Sequence, residues 1–213
     1  MEISHAQKLI AQGEGETIEF KRKTAHPEKI VKELVAFANT SGGHLFIGVD
    51  DDGSIPGVKF PDDEIFALNQ AIDSFCRPIF DFEVEIIPLS DKRSIVRYYI
   101  PSSQGKLFKV KLLHEKNPLT YVRYQDKSIK ASREVREIFR RRFQNRDVSF
   151  HFGEKEKILM EHLDHKSTIT LSEFRKYADL NYFKASKTLV ILVLANVLGV
   201  IPNDKGDLYF QRK

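Results

Sequence analysis

Between residues 17 and 53 the hydrophobic pattern changes period twice with almost no filler, and this succession restricts the chain to a sheet with helices packed on it. Residues 17–20 alternate polar and apolar, as a half-buried strand does. Residues 30–38 then place Ile30, Leu34, Phe37 and Ala38 on one helical face. Asn39, Gly42 and Gly43 close that helix, since Asn and Gly tolerate the left-handed conformation that satisfies carbonyls at a helix C-terminus. Residues 44–49 form an apolar strand, and Asp50, Asp51, Asp52 and Gly53 give it a turn on Asp-Gly chemistry, with the return path beginning at residues 55–57. Three carboxylates crowd one strand end.

Residues 63–75 are helical, with Phe66, Leu68, Ile72 and Phe75 apolar, and they stop before Arg77-Pro78 because the residue preceding proline disfavours helix. Residues 82–89 and 94–100 alternate as strands around a turn at 90–93. A loop at 101–105 leads to Lys106, Lys109 and Lys111, the last two on one strand face; a turn follows at 114–118, a strand at 120–124 carries Arg123, and a polar turn spans 125–128. The expected fold is α+β, a mixed sheet with helices packed against it, over residues 1–146.

Residues 130–146 hold the strongest charge feature. On a helix, Val135, Ile138, Phe139 and Phe143 make the apolar stripe, with Arg133, Arg136 and Arg140 together beside it at three- and four-residue spacing. Arginine forks pair with phosphate oxygens, so this face suits a nucleic-acid backbone; the alternative is a solvated helix whose arginines pair with Glu134 and Glu137. Lys21, Lys109, Lys111, Arg123 and Lys130 are expected to extend the basic surface. Over the whole chain, 34 Lys and Arg stand against 30 Asp and Glu, a net +4 that permits nucleic-acid binding without requiring it.

A boundary is expected at 144–153. Beyond it, residues 154–165, 170–178 and 183–200 read as three helices, with a turn at 202–206 and a short strand at 207–211. Three helices and a hairpin-like tail over 150–213 resemble a winged-helix module. Lys184, Ser186, Lys187 and Thr188 at the start of the third helix are the polar residues such a module offers to DNA. The rest of that helix is apolar nearly all round, which points equally to a homodimer contact.

Glu14 with Glu19, Phe20 and Lys21, then Ala36 to Thr40 with Gly42 and Gly43, then Ile47 to Asp51 resemble the Schlafen AlbA-like domain, AlbA_2. The strand and turn from Tyr121 to Ser132 are similar to its closing segment. The likeness spans roughly residues 8–142 and implies an α/β nucleic-acid-binding domain. Such domains occur in bacterial proteins described as DNA-binding or transcriptional regulators, and as an RNA-cleaving core in animal Schlafen proteins. In those nucleases three acids hold a catalytic metal; the resemblance carries these roles to Glu14, Glu19 and Asp51, with Asp50 as the alternative third acid. Mg2+ or Mn2+ would be the cofactor, because hard cations take carboxylate oxygens and phosphodiester cleavage needs one to orient water. Glu14 and Glu19 have opposite strand parity, so they converge only if Gly13 or Gly15 turns the chain.

Other chemistries find no support. There is no phosphate loop of the G-x4-G-K-[ST] type, and the acids of residues 13–16 would repel phosphate. The seven histidines assemble no zinc-protease motif, and the single cysteine, Cys76, excludes an intramolecular disulfide framework. With no apolar run of spanning length and no signal sequence, the expectation is a cytoplasmic nucleic-acid-binding regulator of transcription with DNA or RNA as partner and no membrane. The alternatives are a metal-dependent endoribonuclease and a dimerising assembly module.

Overall fold

The computed structural model describes residues 1–103, 105–113, 115–142, 144 and 150–212. Phe143 and Arg146, expected on the basic helix, His114, expected in a turn, Gln104 of the 101–105 loop and residues 145–149 of the expected boundary lie outside them. The chain divides into two compact units, Met1–Ile129 and Lys130–Lys213. The division precedes the basic helix, which therefore belongs to the second unit and not, as the sequence led us to expect, to the first.

The first unit begins with a helix the sequence reading did not anticipate, α1 (Ile3–Ile10), followed by β1 (Ile18–Lys21), α2 (Pro27–Asn39), β2 (Gly43–Ile47) and α3 (Pro61–Phe75). Then come β3 (Cys76–Arg77), β4 (Glu83–Ser90), β5 (Arg93–Ile100), β6 (Lys109–Val110), β7 (Tyr121–Tyr124) and β8 (Lys127–Lys130). The main sheet runs β1-β2-β5-β4, with β1 parallel to β2 and the other pairs antiparallel. A parallel pair requires a crossover, and α2 supplies it. One sheet face, with Ile18, Phe20, Phe46, Ile87 and Ile95, packs on Ala6 and Ile10 of α1. The opposite face, with Leu45, Ile47, Val96 and Tyr98, packs on Leu34, Val35 and Ala38 of α2 and Leu68 and Ile72 of α3. Side-chain alternation along β2 thus feeds two cores at once. Phe66, expected on the apolar face of α3, is 70% exposed instead.

Gly42 carries the turn after α2. It has φ +77°, and a Cβ there would come within 2.7 Å of the Ile100 carbonyl oxygen, so both conformation and space demand glycine. Asn39 has a different job from the one its type suggested. It stays helical and buried, donating from Nδ2 to the carbonyls of Phe108 (3.0 Å) and Tyr121 (2.9 Å) and accepting from Phe108 N–H (2.8 Å). One amide ties α2 to two later segments of the chain.

The second unit contains α4 (Arg133–Arg142), α5 (Glu154–His165), β9 (Ile169–Thr170), α6 (Leu171–Tyr177), α7 (Tyr182–Leu194), β10 (Leu198–Ile201) and β11 (Leu208–Gln211). Its sheet has the order β10-β11-β9, all antiparallel. Thr170 caps α6 by exchanging hydrogen bonds with Glu173. The third expected helix is split. The helix α7 ends at Leu194, Asn196 takes φ +59°, and residues 198–201 become a strand, since an apolar run alone does not say where a helix stops. Leu189, Val190, Leu192 and Val193 of α7 are buried in the unit's own core with Ile138 of α4, Phe174 of α6 and Tyr209 of β11. The apolar character that pointed to a dimer contact is thereby accounted for within one chain. Among the described residues no helix is long and apolar enough to cross a membrane.

Candidate nucleic-acid interface

The approach to β1 turns at Gly13, with φ +78°, and Gly15 N–H donates to the Ile18 carbonyl at 3.0 Å. This turn overcomes the parity difference and brings Glu14 back onto the strand, where its Oε1 accepts the Phe20 N–H at 2.9 Å. Partial burial, opposed by that hydrogen bond and reinforced by the charges of Glu19 and Asp51, holds the Glu14 carboxyl above its ordinary range. The three acids therefore share one neighbourhood.

They do not form a metal centre. Glu19 is buried, with Oε1 held by the Lys21 ammonium and Oε2 by Arg123 Nη2 at 2.6 Å, so both oxygens are committed to cations. Asp51 is exposed, and Asp50 faces Arg22 Nε at 3.6 Å. Among the described residues no group of three or more His, Cys, Asp or Glu is placed to hold a metal ion. The donor chemistry suits Mg2+ or Mn2+, but this arrangement does not fit one.

Arg123, expected to contact nucleic acid, is instead buried, its side chain 0% exposed, because its fork is used up inside the unit. Nε donates to the Gly15 carbonyl (3.0 Å), Nη1 to Glu33 Oε2 (2.7 Å) and Ser128 Oγ (3.3 Å), and Nη2 to Glu19 and the Ile18 carbonyl (3.4 Å); the guanidinium also lies 5.0 Å from the Phe37 ring centre. It fastens β7 to β1 and α2. Glu33 carries the cost of this burial, its carboxyl raised by desolvation although Ser128 and Arg123 favour its charge. Lys21 is likewise turned to Glu19 and to the Phe20 carbonyl, 2.8 Å away, and not outward. Lys109 and Lys111 are exposed on either side of buried Val110, as strand alternation requires.

The second unit keeps its cations outward. A cleft of about 460 Å³ between α4 and α7 is lined by Arg133, Arg140, Arg141 and Lys187, with the 68% exposed ring of Phe183 on its wall. The Arg133 guanidinium lies 5.5 Å from that ring's centre. Arg140 is paired with Glu137, so part of its charge is met locally. Buried Glu134, which also lines the cleft, accepts from Tyr182 OH (2.7 Å) and Ser186 Oγ (2.6 Å) through one carboxylate oxygen. Lys184, its N–H capped by Asn181 Oδ1 at 2.9 Å, and Lys130 are exposed, while Arg136 is half-buried and outside the cleft lining. Sequence reasoning counted Arg141 in the charged run of residues 130–146 without assigning it to the binding face, and it missed Phe183. Arg141 follows Arg140 directly and its face could be read only once the partner helix was known; Phe183 reads as apolar core.

Charge follows the same division. Met1–Ile129 carries 17 Lys and Arg against 19 Asp and Glu, a net of −2, whereas Lys130–Lys213 carries 17 against 11, a net of +6.

A mixed sheet with helices on both faces and an acidic pair meeting at its edge strand defines the first unit as an AlbA-like α/β domain. The family described as Schlafen, AlbA_2, matches residues 14–132, and the chain belongs to it, which ties it to nucleic-acid-related function. Among solved structures, the DIP2311 protein of Corynebacterium diphtheriae is similar at 14% identity and TM-score 0.47 over 98% of this chain, which spans 38% of that protein's chain. The N-terminal domain of a RecG-related protein of Nitrosomonas europaea is similar at 18% identity and TM-score 0.44, over 72% of this chain and 99% of that domain.

Proposed function

We propose that this protein binds nucleic acid through the α4/α7 cleft of its second unit and acts on duplex DNA as a regulator of transcription. The observation that carries the reading is the convergence of Arg133, Arg140, Arg141 and Lys187 around an exposed aromatic ring. Clustered cations suit a phosphate backbone, and an exposed Phe offers a face to a base or sugar. The order of elements from α5 to β11, helix, strand, two helices and a two-stranded hairpin whose far strand is joined by β9, supports a winged-helix reading with α7 as the groove-facing helix. The positive charge concentrated in this unit supports it further.

The test is fluorescence anisotropy with labelled duplex DNA and structured RNA from low to moderate KCl, using the intact protein and an Arg133→Ala/Lys187→Ala variant, with Mn2+ or EDTA present. Duplex DNA is expected to bind more tightly than RNA, and the variant's slope of log affinity against log salt should flatten by about two, one unit per lost phosphate contact. An unchanged slope would exclude the cleft. Cutting of RNA with Mn2+ would replace this reading with the nuclease one.

A further inference from the structure

A second concavity in the same unit has a different chemistry. It has a volume of about 260 Å³ and lies between the start of α6, the start of α7 and the β10–β11 turn. Two carboxylates, Glu134 and Asp207, line it at 4% and 7% exposure, and among the described residues neither is paired with a cation. Asp207 accepts from Ser132 Oγ (2.5 Å) and Asn203 N–H (3.3 Å), and Glu134 from Tyr182 and Ser186. Hydrogen bonds from neutral donors lessen the burial cost of a carboxylate without supplying its countercharge.

Tyr209 is the independent sign of a ligand. It lines the same pocket at 1% exposure, and its hydroxyl, though buried, meets no hydrogen-bond partner among the described residues. Buried hydroxyls are nearly always partnered, so one left over beside two buried acids marks a place for an incoming group. Burial first, then the charges of Asp207 and Glu134, raise its pKa, which places the hydroxyl within the field of both acids. Arg175 and Lys205, both exposed, stand at the rim. Acids inside and cations outside form a polarity that a zwitterion matches end to end, and the volume is below that of a drug-sized site.

We propose that this pocket binds a small amino-acid-like zwitterion, its ammonium between Asp207, Glu134 and the Tyr209 hydroxyl and its acid group toward Arg175 and Lys205. The geometry makes the ammonium end the deeper one.

The test uses the full chain, labelled with 15N, titrated with four compounds of similar size: 4-aminobutyrate, butylamine, butyrate and butanol. Saturable shifts of the Ser132, Gly206 and Tyr209 amides are expected with 4-aminobutyrate, weaker ones with butylamine, and none with butyrate or butanol. Asp207→Asn should lower the affinity for 4-aminobutyrate about tenfold, the weight of one charge-assisted hydrogen bond. Tyr209→Phe provides a second variant that removes only the unpartnered hydroxyl; it should melt no lower than the parent and lose about fivefold in affinity. Equal binding of butylamine and 4-aminobutyrate, binding of butyrate, shifts centred elsewhere, or no saturation by any compound would each overturn the proposal.

Discussion

Replacing Arg123 by methionine tests the reading of the first unit most sharply, because the side chain holds together elements more than 100 residues apart in sequence, β1 and β7. The variant removes the donors to Gly15, Ile18, Glu19, Glu33 and Ser128 while keeping much of the apolar contact with Phe37. Breaking a buried ion pair by deleting one partner costs about 3–5 kcal/mol. Here the lower end applies, since Glu19 keeps Lys21 and the Glu33 side chain, 24% exposed, keeps Ser128 and reaches water. We expect about 3 kcal/mol, a large share of the roughly 5–15 kcal/mol that holds a domain together. Arg123→Lys should recover only part of it, because a single ammonium cannot reproduce a planar fork aimed at acceptors on three elements. Urea titration followed by hydrogen exchange at residues 14–21 and 119–130 would read the loss within the first unit. A cost below about 1 kcal/mol, or weaker DNA binding by Arg123→Lys at unchanged stability, would refute the structural role and return Arg123 to the nucleic-acid surface.

Three further outcomes are expected. His44 accepts from Arg97 Nε at 3.0 Å, and burial together with the charge of Arg97 pulls its pKa down to about 4 from 6.5. The unfolded chain therefore takes up the proton first, so the contribution is full above about pH 6.5 and lost as pH falls toward 4; discounted for its half-buried ring, the difference between parent and His44→Gln should be about 1 kcal/mol from pH 7 to 5 in thermal melts. Glu14 shows the opposite sign: with its folded pKa raised, the native state binds the proton more readily, so stability falls as pH rises through the window just above 4.5, and Glu14→Gln, which keeps the acceptor for Phe20, should melt higher than the parent at pH 7 but not at pH 4. Asn39→Ala removes the acceptor of the buried Phe108 N–H and the donor to the Phe108 and Tyr121 carbonyls, and urea titration should show about 1–3 kcal/mol lost.

Patterns of period were legible in the sequence wherever one face of an element meets a core. The β4–β5 hairpin and α2 lie where alternation and helical spacing put them, although in the hairpin only Ile87 of β4 is buried and β5 buries Ile95 to Tyr98 in succession. Boundaries within apolar runs were harder: Asn196, a residue that tolerates the left-handed conformation, is the one polar break between Leu189 and Val200, and it turns the chain ahead of a strand. The helix α1 was missed because residues 3–10 hold only two fully buried positions, Ala6 and Ile10, too few to stand out before the sheet they cover is known. The convergence of Glu14 with Glu19 was legible as a condition on Gly13 or Gly15, and Gly13 is the one with positive φ.

Charge was the hardest property to read, since a residue's type does not say where its counterion sits. In the first unit several cations are consumed internally: Lys21 and Arg123 by Glu19 and Glu33, and Arg97 by Glu85, which also takes the N-terminal ammonium. All of these acids are distant in sequence from at least one partner, so no local pattern could assign them. In the second unit the two acids of α4 are accounted for otherwise: Glu134 is buried on neutral donors, and Glu137 is paired with Arg140. That leaves Arg133, Arg141 and Lys187 without an acidic partner among the described residues, and free cations rather than total charge determine how many counterions a bound nucleic acid releases. The same count makes the two units separable by experiment: salt dependence should respond to substitutions in α4 and α7, and stability to substitutions around Arg123.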